Sequence, residues 1–125
     1  MRLLLVILIL SSVYIQKTFA DTIHIYRPWN EVGTWQKVKV SVNGYSQNLK
    51  TKGYATFSVN GPFTIELKGG GVGAAFSKKS IFRGNAGSNG NQYFLIGLQE
   101  GFVTSKYVVT RTSEEIFKYS FQQSN

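Results

Sequence analysis

No cysteine occurs anywhere in the 125 residues. Its absence excludes disulfides, thiolate catalysis, zinc–thiolate centres and lipid attachment through an N-terminal cysteine. Carboxylates number only six, and there is a single histidine, His24. No Asn-x-Ser/Thr acceptor is present either. Small secreted domains of eukaryotes usually rely on disulfides, so these absences lean toward a bacterial envelope or secreted protein. What the chain has in excess is positive charge: fourteen Lys and Arg against six Asp and Glu, a net +8.

Long hydrophobic runs are also scarce. Residues 3–10 are unbroken apolar sequence, about half the roughly 20 residues a spanning helix needs. Arg2 precedes the run, Gln16 and Lys17 interrupt it, and Thr18 and Ala20 are small. That order predicts a cleavable signal peptide over residues 1–20, with export to the periplasm or medium and no lipid anchor. The mature chain, residues 21–125, is then one domain's worth of sequence. Loss of Arg2 and Lys17 leaves it at +6, a charge that favours anionic surfaces.

Period-two alternation dominates the mature chain, the signature of half-buried strands. Ile23 and Ile25 share one face of a first strand, with His24 and Tyr26 on the other, and Pro28 ends it. Val38, Val40 and Val42 alternate with Lys39 and Ser41. Asn43-Gly44 then predicts a hairpin, because both turn positions require positive φ. Ala55, Phe57 and Val59 mark the next strand, Asn60-Gly61-Pro62 a turn, and Phe63, Ile65 and Leu67 another strand. These read as a four-stranded meander over residues 37–68. Residues 74–82 suggest a short strand, residues 84–91 a mobile loop, and residues 92–99 a central strand, apolar on both faces. A strand over residues 102–111 comes next, with Val108 and Val109 in the core. Thr112 and Glu115 fit a capping box, predicting about two turns of helix that bury Ile116 and Phe117. The expected architecture is all-β: a small antiparallel β-sandwich of about seven or eight strands with a short C-terminal helix.

Tyr26-Arg27-Pro28, the Lys-Val-Lys-Val-Ser-Val strand, Asn43-Gly44 and Gly53-Tyr54 leading to Phe57 resemble a bacterial family of small exported proteins and lipoproteins, classed as a domain of unknown function. The order Tyr93-Phe94-Leu95-Ile96, Gly101-Phe102, Val108-Val109 and Glu114-Glu115-Ile116 is similar too. The resemblance implies a small β-sandwich of the envelope type. It implies no activity. Two departures stand out: Gly61-Pro62 inverts the family's Pro-Gly turn, and the lipid-bearing cysteine of many members is missing.

No catalytic, metal-binding or cofactor-binding constellation is legible. His24 lacks a nearby partner for triad chemistry, and no spacing joins Glu66 to Glu31 or Glu100 as a glycosidase pair. The glycines of residues 69–73 lack the Lys-Ser/Thr that a phosphate loop requires. The residues that could meet a partner are Arg27, Trp29, Trp35 and Tyr45, and the basic cluster Lys78, Lys79 and Arg83. Lys37 and Lys39 read as a solubilising strand face. The expected function is a non-enzymatic exported module that binds a protein or an anionic surface polymer. Two alternatives are sugar stacking on Trp29, Trp35 and Tyr45, and enzyme inhibition through the 84–91 loop. One tryptophan is expected to cap the end of the core. Nucleic acid is not an expected partner.

Overall fold

A computed structural model describes residues 20–29, 37–69, 79–87, 90–99 and 106–124. Residues 1–19 of the leader expected over 1–20, and Trp35 and Lys78, therefore lie outside the described residues. Eight strands and one helix are described: β1 (Asp21–Tyr26), β2 (Val38–Val42), β3 (Tyr45–Leu49), β4 (Tyr54–Val59), β5 (Pro62–Gly69), β6 (Ser80–Asn85), β7 (Asn91–Gln99), β8 (Lys106–Thr112) and α1 (Glu114–Ser124). They form two four-stranded sheets. Sheet A runs β4-β1-β7-β8 and sheet B runs β3-β2-β5-β6. The chain is a β-sandwich with a C-terminal helix, as its alternation predicts.

Alternation sets what each strand buries. Ile23, Ile25, Val38, Val40, Ile65 and Phe94 are wholly buried between the sheets, and their neighbours in sequence point outward. Asn43 (φ 50°) and Gly44 (φ 90°) make the β2–β3 turn, consistent with the type I′ hairpin that Asn-Gly favours. The meander fails after that. β4 leaves sheet B to pair with β1, and β5 returns to pair with β2. The cause is local: Lys52, at φ 65°, turns the chain so that its N–H donates to Arg27 O while Arg27 N–H donates to Gly53 O. One pairing also departs from the antiparallel expectation, since β1 and β7 run parallel.

The 84–91 loop is shorter than expected. Gly84 and Asn85 belong to β6, opposite Phe63 and Pro62. A Cβ on Gly84 would come within 2.8 Å of Phe63 Cζ, so glycine here serves close packing. The predicted 74–82 strand is β6, displaced toward the C-terminus; residues 74–78 are outside the described set. Likewise β8 is described from Lys106, and Tyr107, not Val108, supplies its fully buried side chain.

The helix also starts one residue later than the capping box implies. Thr112 is still in β8, paired with Tyr93. Ser113 is the cap, its Oγ accepting from Ile116 N–H at 3.2 Å, with no reciprocal glutamate at that third position. The helix spans 11 residues and lies on the outer face of sheet A. Phe117 is buried there against Tyr26, Tyr54 and Tyr93, with ring centroids 5.2–6.1 Å apart. Ile116, expected inside, is 54% exposed.

Removing the Phe117 ring should therefore release the helix. Phe117→Ala is expected to cost about 3 kcal/mol in urea unfolding, against less than about 0.5 kcal/mol for Ile116→Ala.

Candidate functional site

Helix α1 covers the outer face of sheet A, so the large sheet surface left to solvent is the outer face of sheet B. Parity decides its residues. Because Val38, Val40 and Val42 point inward, Lys39 and Ser41 point outward. On β5, Phe63, Ile65 and Leu67 point inward, so Thr64, Glu66 and Lys68 share the outer face. Register then places Lys39 directly opposite Lys68. Lys79 lies one residue beyond the Leu67–Ser80 pair, the last of the β5–β6 ladder. Lys39 and Lys68 are thus about 4.8 Å apart at the backbone, and Lys79 extends their line past the end of β6.

More charge surrounds the row. Lys37 and Lys50 flank the Val38–Leu49 pair at the same end of the face, and Arg83 stands opposite Thr64 further along. All six cations are exposed. Against them stands Glu66, whose Oε2 lies 3.8 Å from Lys79 Nζ, a partly exposed pair of little energetic weight. Ser41 and Ser46 exchange a 2.7 Å hydrogen bond in the middle of the face. Like charges set directly opposite in a sheet destabilise it by roughly 0.2–1 kcal/mol each. The face is hydroxyl-rich and cationic, suited to holding repeated anions, with a cleft of about 270 Å³ lined by Ser41, Asn43, Gly44, Thr64 and Glu66.

The residues singled out from sequence scatter. Lys79 and Arg83 belong to this face. Trp29 is 57% exposed and Tyr45 76% exposed, so Trp29 is not the cap over the core. The two do not form one platform either. Trp29 follows Arg27, which pairs with Gly53, whereas Tyr45 lies beside Ser58, about 16 Å further along β4. Arg27 is not at the surface at all. Its side chain is buried, with Nη1 donating to Leu49 O at 2.8 Å and Nη2 to Tyr107 Oη at 3.3 Å. The guanidinium also lies 5.1 Å from the Tyr107 ring centroid. Burial pushes its pKa down, and pushes the Tyr107 phenol up against the pull of Arg27. Arg27 is a tie between sheets.

Lys68 and Lys50 went unmarked in the sequence because their relation to Lys39 depends on which strands pair. His24 sits in a structural cluster, its Nδ1 2.5 Å from Tyr54 Oη, its Nε2 2.8 Å from Asn91 Oδ1, and its ring stacked on Tyr93 at 4.8 Å. Glu31 and Glu100 lie outside the described residues.

A second polar feature is a cleft of about 330 Å³ lined by Asp21, Gln92 and Arg111 among others. Asp21 is the other buried charge among the described residues. Its carboxylate accepts from Gly87 N–H (2.7 Å), Gly90 N–H (3.2 Å) and Gln92 Nε2 (2.7 Å), and Arg111 Nη2 donates to Gln92 Oε1 at 2.6 Å. Gly87 and Gly90, expected in a mobile loop, are held by these bonds. Burial opposes ionisation of Asp21. The bonds from Gln92, Gly87 and Gly90, with the charge of Arg111, outweigh it and lower the pKa.

Compared with protein families, with curated proteins and with solved structures, the chain matches none.

The lowered Asp21 pKa has a definite sign in stability. Its contribution is complete above the ordinary aspartate value of 3.8 and is lost as pH falls through the lower folded-state value. Thermal unfolding from pH 7 to pH 2 should show an acid-side decline that Asp21→Asn makes shallower. The variant should already be less stable at pH 7, by about 1–3 kcal/mol for the bonds it weakens.

Proposed function

We propose that this chain is an exported, non-enzymatic binding module whose outer face of sheet B holds an anionic surface polymer. The observation that carries the reading is the row Lys39–Lys68–Lys79, bordered by Lys37, Lys50 and Arg83. A fold that needed lysine only for solubility would gain by alternating the sign of charge across neighbouring strands, since opposite pairs stabilise and like pairs do not. A polyanion laid across the strands relieves that repulsion. The signal-like N-terminus supports the exported setting. The aromatic alternative receives no comparable support, because Trp29 and Tyr45 stand far apart.

Binding should behave as counterion release. Titration of the full chain with long-chain polyphosphate should give an affinity that falls steeply with added NaCl. Lys39→Glu/Lys68→Glu should weaken it by about tenfold or more, as two lost contacts of roughly 1 kcal/mol each imply, and should flatten the salt dependence. Trp29→Ala should leave both unchanged. Unaltered affinity in the double variant would sink this function.

A further inference from the structure

Each sheet ends in two edge strands, and the four edges differ in chemistry. On one side of the sandwich lie β6 and β8. β6 carries Arg83, with Lys79 just before it, and β8 carries Lys106 and Arg111. That side is also packed shut, with the Arg111 guanidinium 5.5 Å from the Phe82 ring and 5.7 Å from the Phe94 ring. On the opposite side lie β3, Tyr-Ser-Gln-Asn-Leu, and β4, Tyr-Ala-Thr-Phe-Ser-Val. Neither contains a charge or a proline, the usual means of blunting an edge. In a chain of net charge +8, this uncharged side is an exception.

The β4 edge has its bonding groups aimed outward. Arg27 N–H donates to Gly53 O, which fixes 27–53 as a bonded pair in a ladder that continues through Ala55, Phe57 and Val59. Bonded and non-bonded pairs alternate in antiparallel sheets, so the N–H and C=O of Tyr54, Thr56 and Ser58 face away from β1. Beside them, between β4 and β3, is a cleft of about 500 Å³ walled by Tyr45, Gln47 and Phe57. It offers a place for an apolar side chain of an added strand.

Charge gives the added strand its direction and its end. Lys50 and Lys52 are exposed in the turn that leads into Tyr54. A strand running antiparallel to β4 brings its C-terminal end to that turn. We infer that the β4 edge is a docking site for an extended peptide segment of a partner protein, uncharged over about six residues and ending in carboxylates beside Lys50 and Lys52. Backbone bonds to Tyr54, Thr56 and Ser58 supply affinity, while the Tyr45–Phe57 cleft and the two lysines select sequence. The site shares Lys50 with the border of the sheet B face but uses neither Lys39 nor Lys68, so substitutions at those two lysines test one site without touching the other.

The test uses the full chain and the peptide acetyl-Thr-Val-Thr-Val-Thr-Val-Asp-Asp, with a Lys-Lys-ended counterpart. Residue-resolved amide exchange should slow by about tenfold or more at Tyr54, Thr56 and Ser58 with the acidic peptide alone. Lys50→Glu/Lys52→Glu, confined to exposed turn positions, should abolish that effect and transfer it to the lysine-ended peptide. Lys39→Glu/Lys68→Glu should leave it intact. Three outcomes would each overturn the inference: no slowing with either peptide, equal slowing with both, or slowing without peptide that grows with protein concentration. The last would give the edge to a second copy of this chain.

Discussion

Strand β1 is fixed at both ends by a buried charge, and the sandwich is organised around those two anchors. Asp21 and Arg27 are the buried charged residues of the described chain, six positions apart and opposite in sign. Asp21 gathers N–H donors from the β6–β7 connection and from Gln92. Arg27 reaches the carbonyl of Leu49 in the other sheet and the hydroxyl of Tyr107 on β8. An ionised group in an apolar interior is tolerated only when its bonds are met. Each anchor therefore holds several neighbours in place along with itself.

That arrangement explains why the two outer faces differ so much. The His24–Tyr26 side of β1 is aromatic and takes helix α1 as a cover, through Phe117 and Phe121. Tyr26 is fully buried beneath it, its hydroxyl without a hydrogen-bond partner among the described residues. Sheet B has no such aromatic face, because Lys39, Ser41, Thr64, Glu66 and Lys68 fill its outward positions. One layer is sealed and the other is left in water with its cations.

Much of this architecture is legible in the chain itself. Alternation identifies the buried valines of β2, the Asn43-Gly44 turn announces the hairpin, and the apolar run at 93–96 marks the central strand β7. Pairing order is not legible. Nothing within β4 or β5 says that one joins β1 and the other β2, because partner choice is settled by the Lys52 turn and by Arg27, across distances that local patterning does not span. The lysine row is hidden for the same reason. Lys39 and Lys68 are 29 residues apart in sequence and become neighbours only through register. Arg27 misleads in the opposite direction: beside an exposed tryptophan and a proline it reads as surface, and only the fold shows its carbonyl and phenol partners.

The β1–β7 pairing has an implication for time. Strand β1 is the earliest described element to be made, yet one of its flanks and the N–H donors to Asp21 come from residues 87–99. Contacts between distant parts of a chain form slowly, because a long loop must close first. Until then Ile23 and Ile25 stand on a strand with one flank open. A growing chain would carry that hazard through most of its length, and protection of β1 from premature pairing would govern how much of it folds.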